Sequence, residues 1–505
     1  MTGGLWVAVA RLAVALLGND LAWRYVAEQS RRDAPWYYRL AGVWGGSEGS
    51  LLLFAAIVAL VATAAARRCV TVLPVGFAAV TVAAFGGVSL LFANPFGSLD
   101  VPSLRGFGLT PILEHPAMAI HPPMLYTGLA ATLAVAMASL DGRTARSWMR
   151  WSLALITTAM AIGALWSYLE QGWGGYWAWD PVENTSLLVW LAVLVALHSS
   201  RVGSRRLLID VAPWVIALAG AALVRSGSTP SIHGFAEQAS VGWALLIATA
   251  ATGSFAAVMW SRRGIRSVDL AVLTEEGRHV GGPRSAGLAN VVLAAAALGV
   301  IAVGTLAPVV IDIVADRPAA IRGVYFSRVV GPLALVGVPF IALRLRHRRG
   351  RLAHLGMLVL LAGIAASTFD RSATFGIADG QVVSAAGLHI VGGGVRVEPG
   401  SRADTRAVVV DLLVDDVALH PSLVAYPDRG GVLAETAIAT WPWRDVQVTL
   451  GDATDDGIAL ITVRQRPLVW LIWIGAVLTA VGALRPMAGR SHRRADVPAS
   501  APATR

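Results

Sequence analysis

Twelve stretches of this 505-residue chain are apolar over enough residues to cross a lipid bilayer, and that repetition limits the possible folds more than any motif does. They lie at about 3–18, 50–66, 72–93, 122–140, 151–169, 185–200, 209–225, 238–260, 287–311, 326–345, 352–369 and 467–485. In lipid, every backbone N–H and C=O must find its partner within the segment, so runs of this length predict helices. A hydrophobic share of 56% against 14% charged residues excludes the soluble globular classes. The expected fold class is an all-α polytopic membrane protein of about twelve transmembrane helices, with one departure near the C-terminus.

The connections between these runs alternate in character. One set is short and basic: Arg67 and Arg68; Arg143, Arg146 and Arg150; Arg201, Arg205 and Arg206; Arg262 to Arg266; Arg344 to Arg351; and Arg490, Arg493 and Arg494. If each run crosses once, all of them fall on one side, and the positive-inside rule makes that side cytoplasmic, with both termini there. The net charge of +10 is thereby explained without nucleic acid, for which no continuous basic face exists. The N-terminal run lacks a basic leader and an A-x-A site, so it reads as a retained span. The single cysteine, Cys69, makes neither an internal disulfide nor a C-x-x-C redox pair, and no C-x-x-C-H is present.

The other connections are longer and carry the unusual residues. Between 370 and 466 the pattern changes to short β-prone runs such as Ala407–Val414 and Ile458–Val463, which predict a small periplasmic β-rich domain. The expected organisation is thus a transmembrane domain at 1–369, the β-rich domain at 370–466, a closing helix at 467–487 and a disordered cytoplasmic tail at 488–505. The densest outer segment, within 172–190, reads W-G-G-Y-W-A-W-D-P-V-E-N-T-S-L-L-V-W from Trp173. Aromatic residues at an interface can be an ordinary headgroup belt. Here Trp173, Trp177 and Trp179 converge with glycines and with Asp180, Glu183 and Asn184, a composition suited to a flat, apolar, π-stacking ligand such as haem.

Histidines divide by position. His279, His347 and His492 fall in basic loops, and His389 and His420 in the β-rich stretch, all five read as surface residues; His115 is ambiguous. His121 is read as opening a helix from the outer side, because Pro122 and Pro123 suit a first turn. His233 lies in the outer connection after Arg225, so the two flank the tryptophan segment in sequence. His198 and His354 lie at the ends of apolar runs and, by the topology above, at the same depth on the cytoplasmic side. A histidine satisfied by a backbone carbonyl is the plain reading of each; a matched pair suits bis-axial ligation of a haem. Arg225 is placed either against a haem propionate or in an ion pair with Asp180 or Glu183.

With these residues in place, the chain resembles a known family. W-G-G-Y-W-A-W-D-P-V-E-N is similar to the WWD signature of the haem-handling superfamily. N-D-L-A-W-R-Y-V-A-E-Q-S, W-G-G-S-E-G-S-L-L-L, A-N-P-F, I-H-P-P-M-L-Y, R-S-G-S-x-x-S-I-H-G-F-A, A-H-L-G, A-E-T-A-I, W-R-D and P-L-V-W-L-I-W-I-G resemble the CcmF family of system I cytochrome c maturation, from about residue 19 to 485. The resemblance implies a multi-pass protein of the cytoplasmic (inner) membrane that acts as cytochrome c haem lyase. It implies that His121 and His233 are axial ligands of haem delivered over the WWD segment, and that His198 and His354 ligate a resident haem b. It further implies haem received from the chaperone CcmE, an apocytochrome c whose C-x-x-C-H thiols take up the vinyl groups, and thiol-reducing subunits of the CcmH/CcmI type; quinol is one candidate electron donor, and the donor's identity stays open. The assigned role is templating, with no acid–base residue named. Two departures stand out: the chain is shorter than the family usually is, and Ser47 stands where the family has histidine or glutamine. A haem exporter or channel and a b-type cytochrome are the alternatives. The first predicts internal repeats, which are not visible; the second leaves the tryptophan segment, His121 and His233 without a role.

Overall fold

The computed structural model describes residues 1–170, 175–199, 206–228, 231, 234, 237–262, 283–317, 319–346, 350–400, 402, 404–427, 431–454 and 456–485. Helices account for residues up to Ser367: α1 (Thr2–Gly18), α2 (Arg24–Gln29), α3 (Trp36–Ala41), α4 (Ser47–Ala66), α5 (Val72–Phe92), α6 (Pro116–Leu140), α7 (Arg146–Leu169), α8 (Pro181–His198), α9 (Arg206–Ser226), α10 (Ala239–Arg262), α11 (Pro283–Ala315), α12 (Gly323–Leu343) and α13 (Arg351–Ser367). A last helix, α14 (Trp470–Leu484), follows ten strands. Among the described residues nine helices are long and apolar enough to span a bilayer, and α1, α13 and α14 are shorter apolar helices. The chain is an all-α polytopic membrane protein with a β-rich region near its C-terminus.

Helix α4 forms the centre of the bundle. Its apolar window is 78% buried within the protein, against 11% for α12, so α12 turns most of its surface outward, where lipid is the matching solvent. The largest core cluster joins α4 to α1, α5, α6, α7, α8, α9 and α10, with Leu51, Leu133, Ile156 and Trp214 fully enclosed. The W-G-G-S-E-G-S stretch enters α4 under Tyr25. A side chain at Gly49 would lie 2.1 Å from the Val43 carbonyl oxygen and 2.4 Å from the Tyr25 hydroxyl, so only glycine fits. Helices α13 and α14 approach as closely: a Cβ at Gly475 would lie 2.3 Å from the Leu360 nitrogen.

One sequence expectation needs correcting. His121 does not open a helix, because α6 begins at Pro116 with His115 as its N-cap and runs through Pro122 and Pro123. Proline interrupts a helix partly by orphaning the carbonyl four residues earlier. For Pro122 that carbonyl belongs to Met118, and it accepts a 2.8 Å hydrogen bond from the indole Nε1–H of Trp44. A tertiary donor therefore satisfies the carbonyl that Pro122 leaves open where the helix runs on.

The strands form two antiparallel sheets, which use β1 (Arg371–Ile377), β2 (Val382–Ala385), β3 (Leu388–Pro399), β4 (Arg406–Val414), β5 (Val417–Leu419), β6 (Ser422–Tyr426), β7 (Gly431–Glu435), β8 (Ala437–Trp441), β9 (Arg444–Ala453) and β10 (Ala459–Pro467). One sheet has the order β1-β10-β9-β8, the other β2-β3-β4-β6-β7 with β5 paired to β4. Alternation along β4, β9 and β10 points Val410, Leu412, Val446, Val448, Ile461 and Val463 into one shared core between the sheets.

Candidate functional site

The tryptophan segment is held by the start of α8. Asp180 is its N-cap, its carboxylate accepting from the Val182 N–H at 2.9 Å, and Pro181 occupies the first helical position. Glu183 reaches back to accept from the N–H groups of Ala178 at 2.9 Å and Asp180 at 3.1 Å. This reciprocal box satisfies donors that a helix start leaves open. It also fixes Trp179 in a left-handed conformation with φ 59°, which the Asn184 amide supports by donating to the Trp179 carbonyl. The Trp179 ring stacks on Phe326 with centroids 5.2 Å apart, and its indole donates to Ser327 Oγ at 2.9 Å. Trp177 meets Trp179 edge to face at 6.0 Å. Trp173 lies outside the described residues.

At the same end of the bundle, His121 Nδ1 bonds the Ala159 carbonyl at 2.7 Å. A carbonyl only accepts, so Nδ1 donates and Nε2 is the lone-pair nitrogen of the neutral ring. Gly163 makes room for that ring, since a Cβ there would lie 2.7 Å from it. The His121 ring meets Trp166 edge-on at 6.3 Å, and Trp166 in turn lies parallel to His115 at 6.2 Å. His233 lies outside the described residues. Arg225, 5% exposed at the end of α9, donates to Ser50 Oγ at 2.9 Å and bonds the Tyr126 side chain. Among the described residues its partners are thus on α4 and α6, not Asp180 or Glu183; Asp180 instead accepts from Ser231 Oγ at 3.0 Å.

At the opposite end of α8, the structure brings His198 and His354 together, with ring centroids 6.2 Å apart and planes at 81°. Each Nδ1 bonds the carbonyl four residues earlier, Leu194 and Gly350 respectively, both at 2.8 Å. Those bonds alone satisfy two ordinary histidines; the pairing of the rings is what they leave unexplained. Nδ1 bound to a carbonyl leaves Nε2 as the lone-pair nitrogen of each neutral ring, the arrangement a metal-bound imidazole uses. Two imidazoles each about 2 Å from a shared ion have ring centres about 6 Å apart. The donor set and its spacing fit bis-histidine ligation.

Three further residues at the tryptophan end carry no motif that would single them out. Arg466 of β10 lies over the rings of Tyr168 and Tyr176 at 5.5 and 5.7 Å, and a Cβ at Gly175 would lie 2.7 Å from its guanidinium. Tyr168 donates to Asp445 Oδ2 at 2.9 Å, so the four-stranded sheet grips α7 just before the tryptophan segment. Glu170, the C-cap of α7, faces His115 with Oε1 4.0 Å from Nε2. Burial, with the nearby Glu435 charge, pushes its carboxyl up to about 7.

Comparison with known proteins gives a consistent picture. A family profile described as "Cytochrome C assembly protein" matches residues 44–224. The probable cytochrome c-type biogenesis protein NrfE of Escherichia coli (strain K12) is 31% identical over 95% of this chain and 92% of its own length. The cytochrome c-type biogenesis protein ccl1 of Rhodobacter capsulatus is 28% identical over 98% of this chain and 90% of that one. A solved structure named "Cytochrome c Heme Lyase CcmF" superposes with a TM-score of 0.72 at 20% identity, covering 96% of this chain and 90% of that one, which shows a shared fold.

Proposed function

The chain belongs to the family of cytochrome c-type biogenesis proteins that includes CcmF, NrfE and CycK, and from that premise we propose that it is a haem lyase component of cytochrome c maturation. In this reading it holds haem received from the chaperone CcmE and promotes thioether attachment to the C-x-x-C-H of apocytochrome c. The observation that carries the proposal is α8 itself. The capped tryptophan segment stands at one end and the His198–His354 pair at the other, separated by 18 helical residues, about 27 Å at 1.5 Å per residue.

In this reading the His198 end lies on the cytoplasmic side of the inner membrane and the tryptophan segment with the β-rich region on the periplasmic side, which the positive-inside rule supports through the short basic connections. His198 and His354 are the proposed axial ligands of a resident haem b, their rings oriented by the Leu194 and Gly350 carbonyls. Bound there, that group would supply one-electron chemistry suited to keeping the delivered iron ferrous, with quinol one candidate donor. At the other end, His121 and His233 are the proposed ligands of the delivered haem, which is substrate. Trp173, Trp177 and Trp179 form its apolar platform, Asp180 fixes that platform through the helix cap, and Arg225 takes a propionate. The contribution to rate is orientation: vinyl groups and thiols are held in reacting geometry. Thiol-reducing subunits of the CcmH/CcmI type deliver the apocytochrome.

The test is an absorption spectrum of the detergent-purified protein beside His198→Ala and His354→Ala. A reduced b-type signal is expected in the wild type and in neither variant. A wild type without haem, or variants that keep it, would remove the resident-haem assignment.

A further inference from the structure

Thioether formation moves a proton as well as making a bond. Sulfur bonds to the inner vinyl carbon, the C=C π bond breaks, and the thiol proton ends on the terminal carbon, which becomes CH3. No electron is gained or lost, so no oxidant is required. Templating alone leaves that proton without a carrier.

We propose that Glu170, held against His115, is the proton carrier of this reaction: its carboxylate takes the thiol proton and returns it to the terminal vinyl carbon. The inference rests on the haem-lyase reading and adds a catalytic residue to it. Its geometry starts from the α6 N-cap. His115 Nδ1 accepts from the Ala117 N–H at 3.1 Å, so the ring proton sits on Nε2. That Nε2–H lies 4.0 Å from Glu170 Oε1, one small movement short of a hydrogen bond. Both side chains are about one-fifth exposed, at 20% and 21%, open enough for a substrate to reach and enclosed enough to tune a proton.

Glu170 also stands in the right place. It is the residue before the stretch that leads into the tryptophans, and it connects to His121 through the rings of His115 and Trp166. The groups that face it are His115 at the head of α6, Tyr38 of α3 and Glu435 of β7. Burial lowers the tendency of His115 to protonate, which favours the neutral ring whose Nε2–H faces the carboxylate. A carboxyl poised at about 7 exchanges protons with a thiol far more readily than one near 4.

The experiment uses the purified complex with haem and a reduced C-x-x-C-H peptide, and follows thioether formation in a single turnover across pH. The wild-type rate should rise through about pH 7 as Glu170 ionises, and fall above about 8.5 as the thiol loses its own proton. Glu170→Gln should lower the rate on the order of 100-fold and abolish the lower limb, leaving the haem spectrum and haem affinity unchanged. His115→Asn keeps an N-cap but removes the Nε2–H, and should move that limb to higher pH. A Glu170→Gln protein with wild-type rate and profile would overturn the carrier while leaving the lyase reading intact. A wild type that binds haem and makes no thioether would overturn both.

Discussion

His121 keeps its orientation because position 163 has no side chain. A Cβ there would lie 2.7 Å from the ring, which cannot swing away without breaking the Nδ1 bond to Ala159. Gly163→Ala should therefore weaken binding of added haem at the tryptophan end about tenfold, the equivalent of one neutral hydrogen bond, while the His198–His354 spectrum stays unchanged. Loss of both signals together would show a general folding defect in place of a local one. The histidine pairs differ in how far the sequence reveals them. His198 and His354 can be placed by counting residues along apolar runs, because helices convert number into depth. His115 and Glu170 cannot, since they are brought together only by the packing of α6 on α7 and no periodicity records it. Arg225 stands out in the sequence as a charge in an apolar run, but its partners Ser50 and Tyr126 come from two distant helices.

The helix starts show how element-level signals succeed and fail. D-P-V-E starts α8, because the Asp cap, the proline at the first position and the Glu at the third all act within one turn, four residues ahead of the apolar run read from about 185. The first-turn preference of proline misplaces α6, where I-H-P-P suggests an opening at His121 and the helix begins five residues earlier, at Pro116. The difference is Trp44, whose indole satisfies the carbonyl that Pro122 orphans. Trp44→Phe should leave that buried oxygen without its donor and cost about 1–3 kcal/mol, read as a lower midpoint in thermal unfolding in detergent. Hydrogen exchange should rise first near Met118, at the start of α6. An unchanged midpoint would mean that the prolines need no tertiary donor.

Across the whole molecule, the β-rich region is predictable as strands but not as a docked body. Its sheets follow from alternation and turn residues, whereas its attachment depends on single polar groups with no pattern around them. Glu114, before α6, receives Arg31 Nη2 at 3.1 Å and Arg402 Nη2 at 2.9 Å, joining two segments at this end of the bundle to the loop before β4. Arg402 is 6% exposed, also donates to the Leu109 carbonyl at 3.0 Å, and lies over the Tyr426 ring. Removing one member of such a cluster leaves buried charge uncompensated, which costs about 3–5 kcal/mol, whereas apolar replacement of a pair is often close to neutral. Glu114→Ala should therefore loosen the sheets from the bundle, seen as faster proteolysis between β3 and β4 while the helices resist. The double variant Glu114→Met with Arg402→Met should restore much of that resistance, since Arg31 retains its ion pair with Asp33. The sheets also grip α7 through Tyr168 and Arg466, next to Glu170 and the tryptophan segment. Loosening them should then reduce haem affinity at that end even though none of the substituted residues is placed against haem. Equal proteolysis of the single and double variants would show that apolar packing, and not the charge cluster, holds the two bodies together.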